Sequence, residues 1–311
     1  MKVAIQMDPI EGIDIEKDST FALGMEAQKR GFLIYYYNPE QLIYKNNDLY
    51  AYAQSIRFSK DKNLFFDLSS KKEIKLSSMD VVLLRQDPPF NMNYITSTHF
   101  LERIHPKTLV VNDPFHVRNT LEKLSVLDFP DLIPETLITE NIDEIRDFLN
   151  HFKDIIIKPL YGNGGFGIFR VQKGDKNFQS LVEILILNKL PIVVQRFLPE
   201  IEDGDRRVIL IDGEYAGSVS RIPQQNEIRA NFHAGGKAIK ASLVNRDQEI
   251  CDRLKLYIKE RGLIFVGIDI IGDFLIEINV TSPTGIQEIN RLNNLSLEKD
   301  IWDSIEVKIS K

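Results

Sequence analysis

The chain has 311 residues, 43% hydrophobic and 27% charged, with a formal net charge of −6 and a single cysteine. This make-up suits a globular protein of two or three domains; the single cysteine excludes an internal disulfide, the acidic balance argues against nonspecific nucleic-acid binding, and no run approaches a membrane span. The start, Met1 to Ile5, is too short and too soon polar for a signal peptide, so a cytoplasmic protein is expected.

Val3 to Met7 reads as a first buried strand ending at Asp8-Pro9. Ser19-Thr20 is a candidate N-cap for a helix running to Arg30, which Gly31 closes, and Phe32 to Tyr37 is the next strand. This order suggests a parallel α/β unit. Lys45 to Leu76 reads as an antiparallel β insert, Val81 to Arg85 as another buried strand, Asn93 to Arg103 as a helix, and Leu109 to Val111 as a strand. Ligands of open α/β sheets sit beyond the carboxyl ends of the strands, which makes Asp8, Ser19, Thr20 and Arg85 candidate substrate contacts. Taken alone, Asp8 and Ser19 read better as turn and cap residues. Arg85 is the stronger candidate, because a guanidinium can clamp a carboxylate with two bonds.

A boundary falls near Asn119 to Leu124. Beyond it come a strand at Ile133 to Ile138, an amphipathic helix at Ile142 to Phe152 and a strand at Ile155 to Leu160 that carries a lone lysine, Lys158. The glycine-rich stretch from Gly162 to Gly167 then leads into a strand rather than a helix, which excludes a P-loop and a dinucleotide fingerprint. It reads as a β-hairpin whose bare amides, at Gly164 and Gly165 among others, can approach phosphate. A lysine inside the apolar strand before it needs an anion, and a nucleotide phosphate is one. Leu181 to Leu187 reads as helix. The strand Pro191 to Gln195 runs out through Arg196, Phe197 and Leu198, either a linker or an edge for adenine. A strand pair follows around Asp212-Gly213, with Arg207 and Arg221 as candidate cations for phosphate charge. Gln224 to Lys240 is polar and aperiodic; it reads as a lid over a reactive intermediate, disordered without ligand, or as a plain surface loop. Glu249 to Arg261 reads as a helix with Cys251 as a packed core thiol, and Trp302 marks a C-terminal helix.

Leu263 to Pro283 reads as a hairpin around Gly272-Asp273. A three-residue loop pairs Ile270 with Phe274, Ile268 with Ile276 and Val266 with Ile278, all apolar, and is the expected register. It makes Asp269 and Glu277 diagonal neighbours about 7–8 Å apart, with Gly267 opposite Glu277. Asp269, Glu277 and Asn279 are hard oxygen ligands that suit Mg²⁺ shared with substrate phosphates.

The order of these features, together with Met7-Asp8-Pro9, Lys17-Asp18-Ser19, Arg85 to Phe90, Leu137-Ile138-Thr139, Ile156 to Leu160, Gly204 to Val208, Arg221-Ile222-Pro223, Leu263 to Asp273 and Glu277 to Pro283, resembles the bacterial glutathione synthetases of the ATP-grasp superfamily across almost the whole chain. The resemblance implies an α/β (α+β) fold. An N-terminal open parallel α/β substrate domain, 1–121, precedes a two-lobed ATP-grasp domain, 122–311. Residues 122–194 form the nucleotide-covering lobe, and 195–311 carry the lid (224–240) and the metal site. It implies an ATP-dependent ligase that joins γ-glutamylcysteine and glycine into glutathione with Mg²⁺ or Mn²⁺, as a cytoplasmic homotetramer. Lys123 and Lys158 then bind ATP phosphates, Gln195 to Leu198 line the adenine pocket, and Asp205 faces the nucleotide. Arg207 and Arg221 steady the phosphoryl group and the acyl phosphate. Arg229, Asn231, Gly235 and Gly236 belong to the lid. Asp8, Ser19, Arg85, Ser282, Pro283 and Thr284 hold substrate, and Asp269, Glu277 and Asn279 hold metal.

The family lid reads Gly-Glu-x-Arg-Gly-Asn-Leu-Ala-Ala-Gly-Gly; here Asn226, Ala230, Phe232 and His233 depart from it while Arg229 and Asn231 remain. Two rivals stand beside this reading: another ATP-grasp ligase with different amino acid or peptide substrates, and a nucleotide-binding regulator of the same fold, which should have lost a metal ligand or a lid arginine.

Overall fold

The computed structural model describes residues 1–187, 189–225 and 227–310. Asn226, one of the lid departures, lies outside them, as does the side chain of His233. The described residues form three sheets.

The first sheet contains β1 (Lys2–Gln6), β2 (Leu33–Tyr37), β3 (Leu42–Lys45), β4 (Asp48–Phe58), β5 (Phe66–Leu68), β6 (Lys72–Lys75), β7 (Val81–Leu84) and β8 (Leu109–Val111). Strands β2, β1, β7 and β8 run parallel in that order, and β4 adds antiparallel to β2 with β3, β5 and β6 along it. Both faces of the parallel part are covered, which is why its strands are continuously apolar. Val3 and Ile5 enter one core while Ala4 enters the other. Helix α1 (Ser19–Lys29) packs on the first of these faces; α2 (Met92–Glu102) and α3 (Pro114–Asn119) follow. The N-cap of α1 is Asp18, not Ser19: its carboxylate accepts from the Phe21 amide at 2.6 Å, and Ser19 lies within the first turn, buried.

The second sheet, in order β11-β10-β12-β9, contains β9 (Thr136–Thr139), β10 (Asp154–Pro159), β11 (Phe169–Gln172) and β12 (Ile192–Arg196), all antiparallel. Helix α4 (Ile142–Phe152) covers it with α5 (Phe178–Leu185). Asn141 caps α4 by accepting from the Asp143 amide at 2.9 Å. Its stripe residues Ile145 and Leu149 pack on Ile155 and Ile157.

The third sheet, in order β15-β14-β13-β16-β17, contains β13 (Asp205–Ile211), β14 (Glu214–Ile222), β15 (Lys237–Lys240), β16 (Phe265–Ile271) and β17 (Phe274–Asn279). Helix α6 (Asn245–Glu260) seals one face with Ile250, Cys251, Leu254 and Ile258; burial pushes the Cys251 thiol up to about 12, as befits a core thiol. Strand β15 occupies the last four residues of the segment read as a lid, so the loop is shorter than expected.

The expected hairpin register is corrected. Near the turn Ile271 pairs with Phe274 and Ile270 with Leu275, as a two-residue loop demands. An irregularity then absorbs Ile276, so Asp269 pairs with Glu277, Ile268 with Ile278 and Gly267 with Asn279. A bulge reconciles a tight turn at Gly272 (φ +55°) with an apolar face. It lets Leu275, Ile278 and Val280 all enter the core while Ile276 and Glu277 face the cavity described below. Asp269 and Glu277 are directly opposed rather than diagonal. Gly267 gives room to Arg207, whose Nη1 lies 3.2 Å from where a Cβ would stand.

Helices α7 (Ile286–Asn293) and α8 (Leu297–Ile309) join the first and third sheets in one core, where Ile5 and Leu23 are grouped with Phe265, Ile286 and Trp302. Trp302 Nε1 donates to the Leu23 carbonyl at 2.9 Å. Asn112, at the end of β8, donates to the carbonyls of Phe265 (2.7 Å) and Val280 (2.9 Å) and accepts from the Phe265 amide (2.8 Å). No helix among the described residues is long and apolar enough to cross a membrane.

Candidate active site

A cavity of about 440 Å³ lies between the second and third sheets, roofed by the glycine-rich loop that joins β10 to β11. The third sheet supplies its charge through register. Pairing of β13 with β16 sets Arg207 opposite Asp269, and pairing of β13 with β14 sets Asp205 opposite Arg221. Arg207 grips Asp269 with two bonds (Nε 2.6 Å, Nη2 2.8 Å), and Arg221 does the same to Asp205 (2.7 and 2.5 Å) while reaching Asp269 at 2.9 Å. All four are buried, and their charges balance. Burial alone would raise the Asp269 pKa; the two guanidiniums outweigh it and hold the carboxyl well below the usual range. Asn279 donates to Asp269 at 3.3 Å.

Glu277 is held differently. Its Oε1 lies 3.8 Å from Lys123 Nζ and 3.9 Å from Lys158 Nζ, too long for strong pairs, so the carboxylate is available. Lys158 is buried on β10, and Lys123 donates to the Gly162 carbonyl, tying it to the roof. Burial depresses the Lys158 pKa to about 8, with Glu277 opposing the shift. A phosphate beside it should restore the charge. Nucleotide binding at about pH 8.5 is therefore expected to take up protons, and affinity should fall as pH rises past the free-state value. Calorimetry in buffers of different ionisation enthalpy checks this; zero net uptake contradicts it.

The apolar end of the cavity is formed by Phe197, Ile201 and Ala230 with Ile156 and Ile271, a slot suited to a flat base. Over it lies the lid segment. Arg229 donates to the Gly165 carbonyl at 3.2 Å and pairs with Glu227 at 2.5 Å, and the Asn231 side chain abuts Gly165.

Of the residues named from sequence, Lys123, Lys158, Gly164, Gly165, Gln195, Arg196, Phe197, Leu198, Asp205, Arg207, Arg221, Arg229, Asn231, Asp269, Glu277, Asn279, Ser282, Pro283 and Thr284 all line this cavity. Five do not. Arg85 is buried behind the wall, donating to Thr20 Oγ1 and the Pro283 carbonyl, both at 3.0 Å, while Ser282 Oγ donates to its carbonyl at 3.2 Å. It props the 282–284 turn instead of reaching inward as a clamp. Asp8 accepts from the Asp87 amide at 2.7 Å, and Ser19 is fully buried. Gly235 and Gly236 turn the chain from the lid into β15: their amides donate to the carbonyls of Phe232 (3.0 Å) and Asn231 (3.1 Å). A Cβ on Gly236 would lie 1.7 Å from the Ala230 carbonyl.

Glu122 was missed. It lines the cavity, its carbonyl accepts from the Ile278 amide at 3.1 Å, and burial followed by repulsion from Glu277 raises its pKa to about 7. Its only signal in the sequence is its place beside Lys123.

Among the described residues no three His, Cys, Asp or Glu side chains form a closed metal cage. The oxygen donors of Glu277, Asp269 and Asn279 instead fit a hard divalent cation that completes its shell with water and phosphate.

Fold and cavity together define an ATP-grasp ligase. Solved structures of the same fold include a D-cycloserine synthetase (TM-score 0.68, 13% identity, covering 99% of this chain and 100% of that one). Another is D-alanyl-alanine synthetase A from Vibrio cholerae (TM-score 0.64, 12% identity, 100% and 98%). The family model for the prokaryotic glutathione synthetase N-terminal domain matches residues 1–118, and that for its ATP-grasp domain matches 122–294. The glutathione synthetase of Agrobacterium fabrum is 50% identical over 98% of this chain and 96% of its own length. That of Salmonella typhimurium is 42% identical over the full length of both. The chain belongs to the prokaryotic glutathione synthetase family.

Proposed function

We propose that this chain joins γ-glutamylcysteine to glycine at the expense of ATP, giving glutathione, ADP and phosphate through an acyl phosphate. The observation that carries this reading is the convergence of Lys123, Lys158, Arg207 and Arg221 on a cavity floored by Asp269, Glu277 and Asn279. That is a site for a polyphosphate and a carboxylate to meet.

A carboxylate is a poor electrophile. Transfer of the γ-phosphoryl group to the cysteinyl carboxylate expels ADP and makes an acyl phosphate. The glycine amine then attacks its carbonyl carbon, and phosphate departs with one of the original carboxylate oxygens. Little covalent work falls to the protein, so positioning and charge neutralisation carry the rate. In this reading Lys123 and Lys158 hold phosphate oxygens beneath the Gly164-Gly165 amides. The base occupies the Phe197 slot beside Gln195 to Leu198, with Asp205 facing the nucleotide. Arg207 and Arg221 neutralise charge on the transferring group. A divalent cation, Mg²⁺ or Mn²⁺, would be held by the oxygens of Glu277, Asn279 and Asp269 and would supply further charge neutralisation. Ser282 to Thr284 hold substrate, with Arg85 acting through them from behind. Arg229 and Asn231 close the lid on the glycine loop and keep water from the acyl phosphate. The same reading divides the chain near residue 121 and takes it as a cytoplasmic homotetramer.

The test is ADP release with Mg²⁺-ATP, γ-glutamylcysteine and glycine, omitting each in turn. Release that requires all three, with glutathione as product, is expected. Release with a different acid or amine keeps the ligase chemistry and moves the substrates.

A further inference from the structure

The guanidinium of Arg221 is committed along its Nε–Nη2 edge: Asp205 takes two of its bonds and Asp269 another. A lid side chain stands close to it. The Phe232 ring lies with its centroid 5.5 Å from the Arg221 Cζ, within cation–π range. The ring also lies near the turn into α7 at Gly285. There φ is +107°, and a Cβ would lie 3.4 Å from the ring and 3.6 Å from Arg207 Cγ. One lid side chain thus stands against Arg221, next to a turn whose positive φ at residue 285 suits glycine. Its backbone is set for this. Phe232 opens a single 3-10 turn, Phe232–Ala234, in which the Ala234 amide donates to Asn231 at 3.1 Å and the Gly235 amide to Phe232 at 3.0 Å. Two residues earlier Ala230, almost wholly buried, seats the same segment against Phe197 and Ile201.

We propose that Phe232 is a positioning residue for Arg221: its ring arrives with the lid, covers the open face of the guanidinium, and so couples closure over the substrates to alignment of the arginine that meets the transferring phosphoryl group. This rests on the role given to Arg221 above. The ring excludes water from one face of a guanidinium whose edge is already committed to two carboxylates. That leaves the cation a single orientation and removes a path for water to the acyl phosphate.

The test uses the full chain and the variants Phe232→Leu, which keeps apolar bulk without a π face, and Phe232→Tyr, which restores the face. ADP and glutathione are measured side by side at saturating substrates. Phe232→Leu is expected to lower kcat about three- to thirtyfold and to release ADP in excess of glutathione, with the KM for ATP within about twofold of the parent. Phe232→Tyr is expected to restore both kcat and the one-to-one ratio. A leucine variant equal to the parent in rate and ratio, or a tyrosine variant as impaired as leucine, overturns the proposal. Tryptic cleavage within residues 222–237 supplies an independent readout: leucine should be cut several-fold faster than parent and tyrosine, and equal rates overturn the proposal. A parent that makes no glutathione refutes the substrate assignment instead, and the cleavage rates still decide the role of Phe232.

Discussion

Glu277→Gln is expected to fold as the parent does and to lose turnover by about two to three orders of magnitude. Its partners explain the intact fold. Lys123 and Lys158 stand 3.8 and 3.9 Å away, distances at which a partly exposed pair contributes little to stability. Lys158, whose pKa burial already pulls down to about 8, can shed its proton rather than stand unpaired. The loss of turnover follows because the substitution removes the one carboxylate of the set that the arginines do not occupy, and with it negative charge for the cation at the phosphoryl group. Thermal unfolding and kcat with Mg²⁺-ATP check both halves. A variant with near-parental turnover removes Glu277 from the metal site.

Asp269→Asn is expected to behave oppositely in stability. Asp269 accepts from both Arg207 and Arg221 and is buried with them. Neutralising it leaves two buried guanidiniums facing Asp205 alone. Breaking such a network costs about 3–5 kcal/mol. In a chain of this size that is a fall in Tm on the order of ten degrees. Turnover should fall too, since both arginines lose the anion that aims them. The contrast is diagnostic: Glu277 acts on the ligand side of the cavity, whereas Asp269 also holds the sheet's charge together. An Asp269→Asn protein as stable as the parent contradicts the closed quartet.

Much of this was legible in the sequence, and the exceptions share a cause. A lone lysine in the apolar strand before a glycine loop announced Lys158, because a buried ammonium demands an anion. The helix at Ile142 to Phe152 was marked by its amphipathic period. The hairpin at Gly272 was equally plain, but its register was not, because an apolar face by itself argues for one uniform pairing and Ile276 sits in a bulge. Asp18 and Ser19 are both good caps and adjacent, so propensity cannot choose between them. Arg85 shows the broader limit. Its place at a strand end was readable, yet its direction is set by the Pro283 carbonyl, 198 residues away. Glu122 and Asn112 carry no periodicity at all. Both gain their roles from β-strands more than a hundred residues further on, through the bonds to Ile278 and Phe265.

Whether the carboxylate is activated by phosphorylation is decided by an isotope. γ-Glutamylcysteine labelled with ¹⁸O in its cysteinyl carboxylate is turned over with Mg²⁺-ATP and glycine, and the inorganic phosphate is analysed by mass. One ¹⁸O is expected in each phosphate released from a fully labelled carboxylate. Phosphate free of label while glutathione accumulates contradicts an acyl-phosphate route in this site.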